Sequence, residues 1–431
     1  MSQASPKTAT NPEGAGKSPL LFIFLTVFID LLGFGIVIPL LPVYSKMYGA
    51  TDWQLGALFA TFSAMQFLFA PMWGRLSDRI GRKPILVGGL FGTAVAYVMF
   101  ANATSLLMLF VSRGLAGFFG ANISTAQAYV ADVTTPENRA KGMGMIGAAF
   151  GLGFTIGPLI GGELTHSHGE HAPGWFAAGL STAAALFGWF VLREPERKSV
   201  GSRVFSFDQV KGAVRDARIG TLLVLSFLFI TSFAAFESFF VFFGMAKFPS
   251  KFGLTHALET MSHTEALNAA PYAGRYLFLI GIVSALIQGV FIRRMVKRFG
   301  ETTLATAGPI LLAIGFLMVA FAPSWSFVIA GCLIMPLGFG INNPALFSLI
   351  SRASPEAEQG AYLGLSQSVS SLARMAGPLM AGVMFSTLGP SAPFFMGAGL
   401  LCVGAFVANG YRARYASTFP RTAGAAIVAE G

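Results

Sequence analysis

The sequence predicts an all-α membrane protein of twelve spans arranged as two six-helix bundles. Of its 431 residues, 54% are hydrophobic and only 11% charged, with a mean hydropathy of +0.66, which is too apolar for an ordinary water-soluble domain. Apolar runs of about 20 residues, each long enough for a helix to cross ~30 Å of hydrocarbon, recur along the whole chain. The second half also repeats the first at a displacement of about 219 positions, as from Gly81 to Gly300.

The runs place spans at roughly 19–44, 53–76, 84–103, 105–130, 141–164, 173–192, 218–246, 271–295, 303–322, 324–350, 359–388 and 391–412. The resulting organisation is a tail at 1–18, a first bundle at 19–192, a linker at 193–217, a second bundle at 218–412 and a tail at 413–431. The first apolar run continues to about Leu41 with no small-residue cleavage site, so it reads as a retained span rather than a removed signal peptide. In the linker, FSFDQVKGAVRDAR sets Phe207, Val210, Val214 and Ala217 on one helical face and charges on the other, as in a surface-lying helix.

The formal charge of +10 is a matter of topology rather than of nucleic-acid binding. Of the 29 Lys and Arg, 23 fall on one side of the predicted spans and four on the other, namely Lys46, Lys247, Lys251 and Arg275. The positive-inside bias then places both termini in the cytoplasm, as an even number of spans requires. Cys332 and Cys402 both lie inside spans, so no disulfide framework is expected.

The repeat aligns ADVTTPENRAKG with ISRASPEAEQG, Gly157-Pro158 with Gly377-Pro378 after a one-residue shift, and the basic turn RLSDRIGRKP with RMVKRFGETT. Two copies in the same orientation predict a solute site at their interface near mid-membrane. The copies differ in sign at the turn: Asp78 aligns with Lys297 and Arg82 with Glu301, so a latch made by the first copy cannot be made identically by the second. The loop Phe248–Ala270 has no counterpart in the first half.

Four charges lie inside spans: Asp30, Arg113, Glu237 and Arg374. Each costs on the order of 2.5–3.5 kcal/mol at the bilayer centre, so all four should face protein or water. From the rise per residue, Asp30 lies ~16 Å along span one and Arg113 ~12 Å from the far end of span four, a depth at which they can meet. Glu237 and Arg374, ~27 Å and ~24 Å along spans seven and eleven, form the second expected pair. A desolvated carboxylate drawn away from its Arg favours the protonated form, which is the minimum machinery for proton coupling. The plainer alternative is two static ion pairs that fix helix register.

Polar stripes surround these charges. Arg113, Gly117, Gly120, Ser124 and Gln127 share one face of span four, and Gln367, Ser370, Ser371 and Arg374 one face of span eleven. With Gln66, Ser284, Gln288, Asn342 and Asn343 they would line a wet solute cavity, although any of them could equally make an interhelical hydrogen bond.

The turn GRLSDRIGRKP at Gly74–Pro84 resembles motif A of the major facilitator superfamily, and GFTIGPLIGG at Gly153–Gly162 resembles motif C of its drug–proton antiporter branch. DLLGFGIVIPLLP from Asp30 and AYVADVTTPENRAKG are similar to bacterial tetracycline exporters; GRYLFLIGIVSALIQGVFIRR and SSLARMAGPL are similar to the animal tetracycline-transporter-like proteins. The resemblance implies a major facilitator fold and a latch of Gly74, Asp78, Arg79, Gly81, Arg82, Lys83 and Asp132. In that latch Arg82 pairs with Asp132, and Asp78 meets the start of the eleventh span near Gly360. In motif C, Gly153, Gly157, Gly161 and Gly162 permit close helix approach and Pro158 bends the fifth span. The motif also hints at export.

These readings converge on a proton-coupled secondary exporter of a small amphipathic or organic-ion solute, with an organic-anion or metabolite transporter of the same fold as the alternative. A non-transporting receptor or lipid-handling scaffold is the rival of another class; it would need neither a latch nor buried acid–base pairs. Span nine carries no acid, which departs from the tetracycline exporters. The expected partners are the solute, protons and the lipid bilayer, with no nucleic acid and no cofactor, for a monomer in a bacterial inner membrane. Nothing in the spans suggests an enzyme. NPEGAGKS has Asn11 where a phosphate loop needs glycine, and His166, His168 and His171 read as a solvated loop rather than a metal site.

Overall fold

The structure, a computed structural model, describes residues 19–134, 136–195, 207–256, 258–290, 295, 298–355 and 358–418. In the first half, α1 (Pro19–Val37) and α2 (Leu40–Met47) are followed by α3 (Asp52–Ile80), α4 (Arg82–Ala101), α5 (Leu106–Phe119), α6 (Ile123–Val133), α7 (Pro136–His168) and α8 (Ala172–Val191). A short helix α9 (Phe207–Arg215) precedes the second half, which comprises α10 (Ala217–Lys247), α11 (His263–Val290), α12 (Glu301–Ala320), α13 (Trp325–Ala353), α14 (Gln359–Leu388) and α15 (Ala392–Tyr415). Among the described residues, nine helices are long and apolar enough to cross a membrane, or ten if α1 and α2 form one span bent by 42°.

Span one bends where Pro39 cannot donate to the helical ladder. Span four breaks into α5 and α6 at the tight turn Gly120–Asn122. Span eight begins at His263, earlier than the predicted 271, because Ser262 and Glu265 cap it reciprocally: Ser262 N donates to Glu265 Oε2 (3.0 Å) and Glu265 N donates to Ser262 Oγ (3.2 Å). The helix α9 falls within the expected linker, but the side chains of Phe207 and Val210 lie outside the described residues, as do the two terminal tails up to 18 and from 419.

Close backbone approaches join the two halves through α7 against α11 and α3 against α14. A Cβ on Gly162 would lie 2.6 Å from the Ala270 carbonyl, one on Gly281 would lie 2.8 Å from Thr155 Cα, and one on Gly382 would lie 3.0 Å from Trp53 Cα. The first and third of these contacts lie towards the face opposite the basic turn at Arg75–Lys83, where the loop Phe248–Ala270 also packs. There Phe252 is buried against Trp325 (5.4 Å between ring centroids), and Tyr276 donates to the Lys251 carbonyl (3.1 Å). The loop that has no counterpart in the first half thus seals the far end of the second.

Candidate functional site

The basic turn is assembled around one helix start. Gly81, at φ +114°, ends α3 and opens α4, a conformation that L side chains rarely adopt. The turn places Arg82 where its guanidinium reaches Asp78 Oδ1 (2.6 Å), Asp132 Oδ2 (3.0 Å) and Ser77 Oγ (2.6 Å). Arg82 and Lys83 put two cations at the positive end of the α4 dipole, an unfavourable arrangement by itself. Glu194, just beyond α8, offsets it by accepting the backbone N–H of Arg82 (2.6 Å) and of Lys83 (2.9 Å). A Cβ at position 81 would lie 2.8 Å from the Glu194 carboxylate. Tyr129 holds the same segment by donating to the Arg193 carbonyl (2.9 Å). The Lys83 ammonium lies 6.0 Å from the Trp189 ring centroid, Arg79 is exposed, and the Gly74 carbonyl accepts from Ser77 Oγ (2.7 Å). Asp78 turns to Arg82; its expected meeting with the start of α14 involves residues 356–357, outside the described residues, and the undescribed side chains 359–361.

The equivalent place in the second half carries a charge-reversed pair. Gly300 (φ +77°) opens α12, and Glu301, its first residue, accepts from Arg352 Nη1 (3.2 Å) and Ser348 Oγ (3.3 Å) at the end of α13. The Glu301 side chain is 8% exposed.

Asp30 and Arg113 do not pair in this structure, contrary to the expectation from depth. Arg113 is 2% exposed, lies over the rings of Phe34 (5.4 Å) and Phe62 (4.7 Å), and leaves Nε without a hydrogen-bond partner among the described residues. Tyr97 from α4, also 2% exposed, stands within electrostatic range of both charges. Its ring packs over Gly33, where a Cβ would lie 3.1 Å from it. The Arg113 cation is instead taken by two aromatic rings. Asp30 is half-buried and makes no hydrogen bond to a described residue. In the second half, Glu237 on α10 and Arg374 on α14 are both half-buried and within electrostatic range of each other, without an ion pair within 4.0 Å.

The stripe residues divide. Gln66 donates to the Gly120 carbonyl (3.1 Å), bracing the break in span four, and Ser371 donates to the Gln367 carbonyl one turn back (3.1 Å). Gln127, Ser284, Asn343 and Gln367 are half-buried, while the side chains of Ser124 and Gln288 lie outside the described residues. Asn342 must be removed from the cavity set. It is 1% exposed inside the second half, where α12 approaches α13 so closely that a Cβ on Gly308 would lie 2.5 Å from Asn342 Cβ. Ser370 is likewise buried, donating to the Ser366 carbonyl (2.8 Å).

Motif C is a packing surface with two sides. Cβ atoms on Gly153 and Gly157 would meet Leu31 (2.9 Å) and the Gly35 backbone (2.6 Å) of α1, and Gly161 packs against Ile36 there, whereas Gly162 faces Ala270 and Pro271 of α11. The Pro158 carbonyl lies against Gly274 of α11. The stretch therefore seats α7 between the helix that carries Asp30 in its own half and the interface helix of the other.

Sequence reasoning missed Glu194 and Tyr97, which no local pattern marks. It also missed Ser262–Glu265, although Ser-x-x-Glu ahead of an apolar run is a readable capping box.

Comparisons with known proteins match this architecture. The sequence profile of the Major Facilitator Superfamily matches residues 23–374 and 260–425. The class C tetracycline resistance protein of Escherichia coli is 32% identical over 383 residues, covering 86% of this chain and 90% of that protein. Major facilitator superfamily domain-containing protein 10 of Homo sapiens is 29% identical over 445 residues, covering 94% and 95%. The crystal structure of the human organic anion transporter MFSD10 (TETRAN) superposes with a TM-score of 0.70 at 27% identity, covering 92% of this chain and 100% of that one. A mutant of the nucleoside transporter NupG shares the fold, with a TM-score of 0.74 at 14% identity over 91% of this chain and 99% of that one. With its helical membrane architecture and its basic-turn clasp, the chain belongs to the major facilitator superfamily, as a multi-pass membrane transporter.

Proposed function

We propose that this chain is a proton-coupled exporter of a small amphipathic or organic-ion solute. One observation carries the reading: each half holds, within its first span, a half-buried acid, Asp30 or Glu237, with no hydrogen-bond or ion-pair partner among the described residues; Arg374 stands within electrostatic range of Glu237, and Tyr97 within range of both Asp30 and Arg113. An ionised carboxylate so placed is costly. Taking up a proton removes that cost, and the arginine restores the charged form when the helices bring the two together. The bundles 19–192 and 218–412 move against each other about the α3–α14 and α7–α11 contacts, with 193–217 as the linker and 1–18 and 413–431 as tails. Asp78, Arg79, Arg82, Lys83 and Asp132 hold the basic face together around Gly74 and Gly81, and Gln66, Gln127, Ser284, Asn343, Gln367 and Ser371 face the solute. The protein works as a monomer in a bacterial inner membrane, and the lysine and arginine asymmetry supports placing both termini in the cytoplasm.

A second reading, an organic-anion transporter, is favoured by Arg113, whose guanidinium has no ion-pair partner among the described residues and is held by two aromatic rings. The human relative whose crystal structure names it an organic anion transporter supports the same class. The test is flux into inverted vesicles across a panel of tetracyclines, lipophilic cations and aromatic carboxylates, with and without a pH gradient. Gradient-driven accumulation of any of them supports the proposal, and the charge of the accumulated solute decides between the readings. Solute movement that is indifferent to the gradient across the panel would sink proton coupling.

A further inference from the structure

On the face opposite the basic turns, two polar side-chain contacts among the described residues cross from the first half to the second. Glu163 at the end of α7 accepts from Arg275 Nε of α11 (2.7 Å), and Glu170 in the turn before α8 meets His263 Nε2 at the start of α11 (3.1 Å). Glu170 is also approached by His171 Nε2 (3.8 Å). We propose that Glu170, His171 and His263 form a second proton site, separate from the membrane acids, whose occupancy locks this face shut.

The argument begins with the imidazoles. His171 Nδ1 lies 2.5 Å from the Ala101 carbonyl, which only accepts, so the ring donates there and a neutral ring turns a lone pair from Nε2 toward Glu170. Protonation turns that lone pair into a donor facing a carboxylate. His263 reaches the other oxygen of the same carboxylate, and a proton on it makes a charge-assisted contact between the halves. Both rings are exposed, at 58% and 59%, so they exchange protons with the water on this face.

The groups around the cluster are otherwise engaged. Tyr44 of α2 donates to the Glu170 carbonyl (2.7 Å), and Tyr48 stands within electrostatic range of its carboxylate while donating to the Ala103 carbonyl (2.5 Å). Lys46 is taken by Asp52 (2.9 Å) and Arg275 by Glu163. On α11, the Glu265 carboxylate is engaged by Thr255, His256 and Ser262, and His168 on α7 is bonded to Ser167. Glu170 is thus the acid that the two imidazoles share. Two imidazoles facing one carboxylate make proton exchange the cluster's chemistry.

The sign follows by linkage. Opening this face parts His263 from Glu170, so the closed arrangement binds protons more tightly than the open one, and acid on this side favours closure. Ion pairs this exposed are weak, so the expected shift in the closed-to-open ratio is about three- to ten-fold. The proposal needs only that the two faces open alternately, and it does not depend on Asp30.

The experiment uses the full chain in liposomes, with Cys332→Ala and Cys402→Ser. Spin labels are placed on cysteines introduced at Asn102 in the first half and Thr387 in the second, both exposed on this face and outside the cluster. Between about pH 8 and pH 5.5 the short-distance population should grow by that three- to ten-fold factor. In an Asp30→Asn, Glu237→Gln background, which removes the membrane acids' own pH dependence, His171→Gln with His263→Gln should abolish the growth. Glu163→Gln should lower the short-distance population equally at both pH values while keeping the pH response. Asp30→Asn should keep the response as well, so failure of the membrane proton site and failure of this one are told apart. A parent chain without the pH shift, or a double His variant that retains it in the background without the membrane acids, overturns the proposal.

Discussion

At Arg82 and at Glu301 the chain solves one problem twice with opposite charges. In both halves a glycine of positive φ opens a helix whose first residue reaches the end of a neighbouring span: Arg82 to Asp132, and Glu301 to Arg352. The geometry repeats and the sign does not. The cost of the first arrangement is two cations at the positive end of a helix, and it is there that Glu194 supplies an outside carboxylate. In the second half the leading residue is itself an acid, which the helix dipole favours, and the position aligned with Glu194 after the one-residue shift is Arg414. The comparison shows that the repeat preserves a bond between two helices rather than a motif, and that one sign of that bond requires a third partner.

The largest effect is expected from reversing Arg82. Arg82→Glu places a new carboxylate against Asp78 and Asp132, with Glu194 at the same helix start, and should cut the initial rate of gradient-driven uptake into inverted vesicles by at least about tenfold, with protein still in the membrane. Near-parental uptake in this variant would reduce the turn to a topology signal.

Next in size is the mirror experiment. Glu301→Arg alone strands two cations together, whereas Glu301→Arg with Arg352→Glu rebuilds the pair in the polarity of the first half. A double-mutant cycle on thermal unfolding in detergent should give a coupling of about 1–2 kcal/mol. Simple additivity would show that the second pair does no positioning.

A smaller effect separates the halves most cleanly. Glu194→Ala removes the acceptor for two helix-start N–H groups and should destabilise the protein by about 1 kcal/mol. Arg414→Glu should give no matching gain, since α12 already begins with an acid. An equal response at the two positions would remove the asymmetry between the halves. Lys83→Gln, which loses an exposed contact with Trp189, should cost only about 0.5 kcal/mol.

Much of this architecture is legible in the sequence because it depends on period and composition. Runs of about 20 apolar residues mark the spans, and the displacement from Gly81 to Gly300 marks the repeat. The basic turn is readable because its charges cluster within a few residues. What escapes a linear reading depends on which distant surfaces meet: Glu194 acts on a helix start 112 residues away, and Tyr97 comes within electrostatic range of both Asp30 and Arg113 from a span that carries no charge of its own within the membrane. Depth along a helix can be read from residue number, but azimuth against a neighbour cannot. For this reason Asp30 and Arg113, at a common depth, nevertheless stand apart, and Asn342 faces the interior of its own half.

The central claim is that the membrane acids carry the coupling proton, and Asp30→Asn tests it most directly. The variant fixes the uncharged form. In proteoliposomes with an imposed pH gradient it should fail to accumulate solute against a concentration gradient, while solute exchange at equal pH persists. If Asp30→Asn accumulates solute uphill with the parental pH dependence, Asp30 is not the coupling site, and the first half carries no coupling proton there.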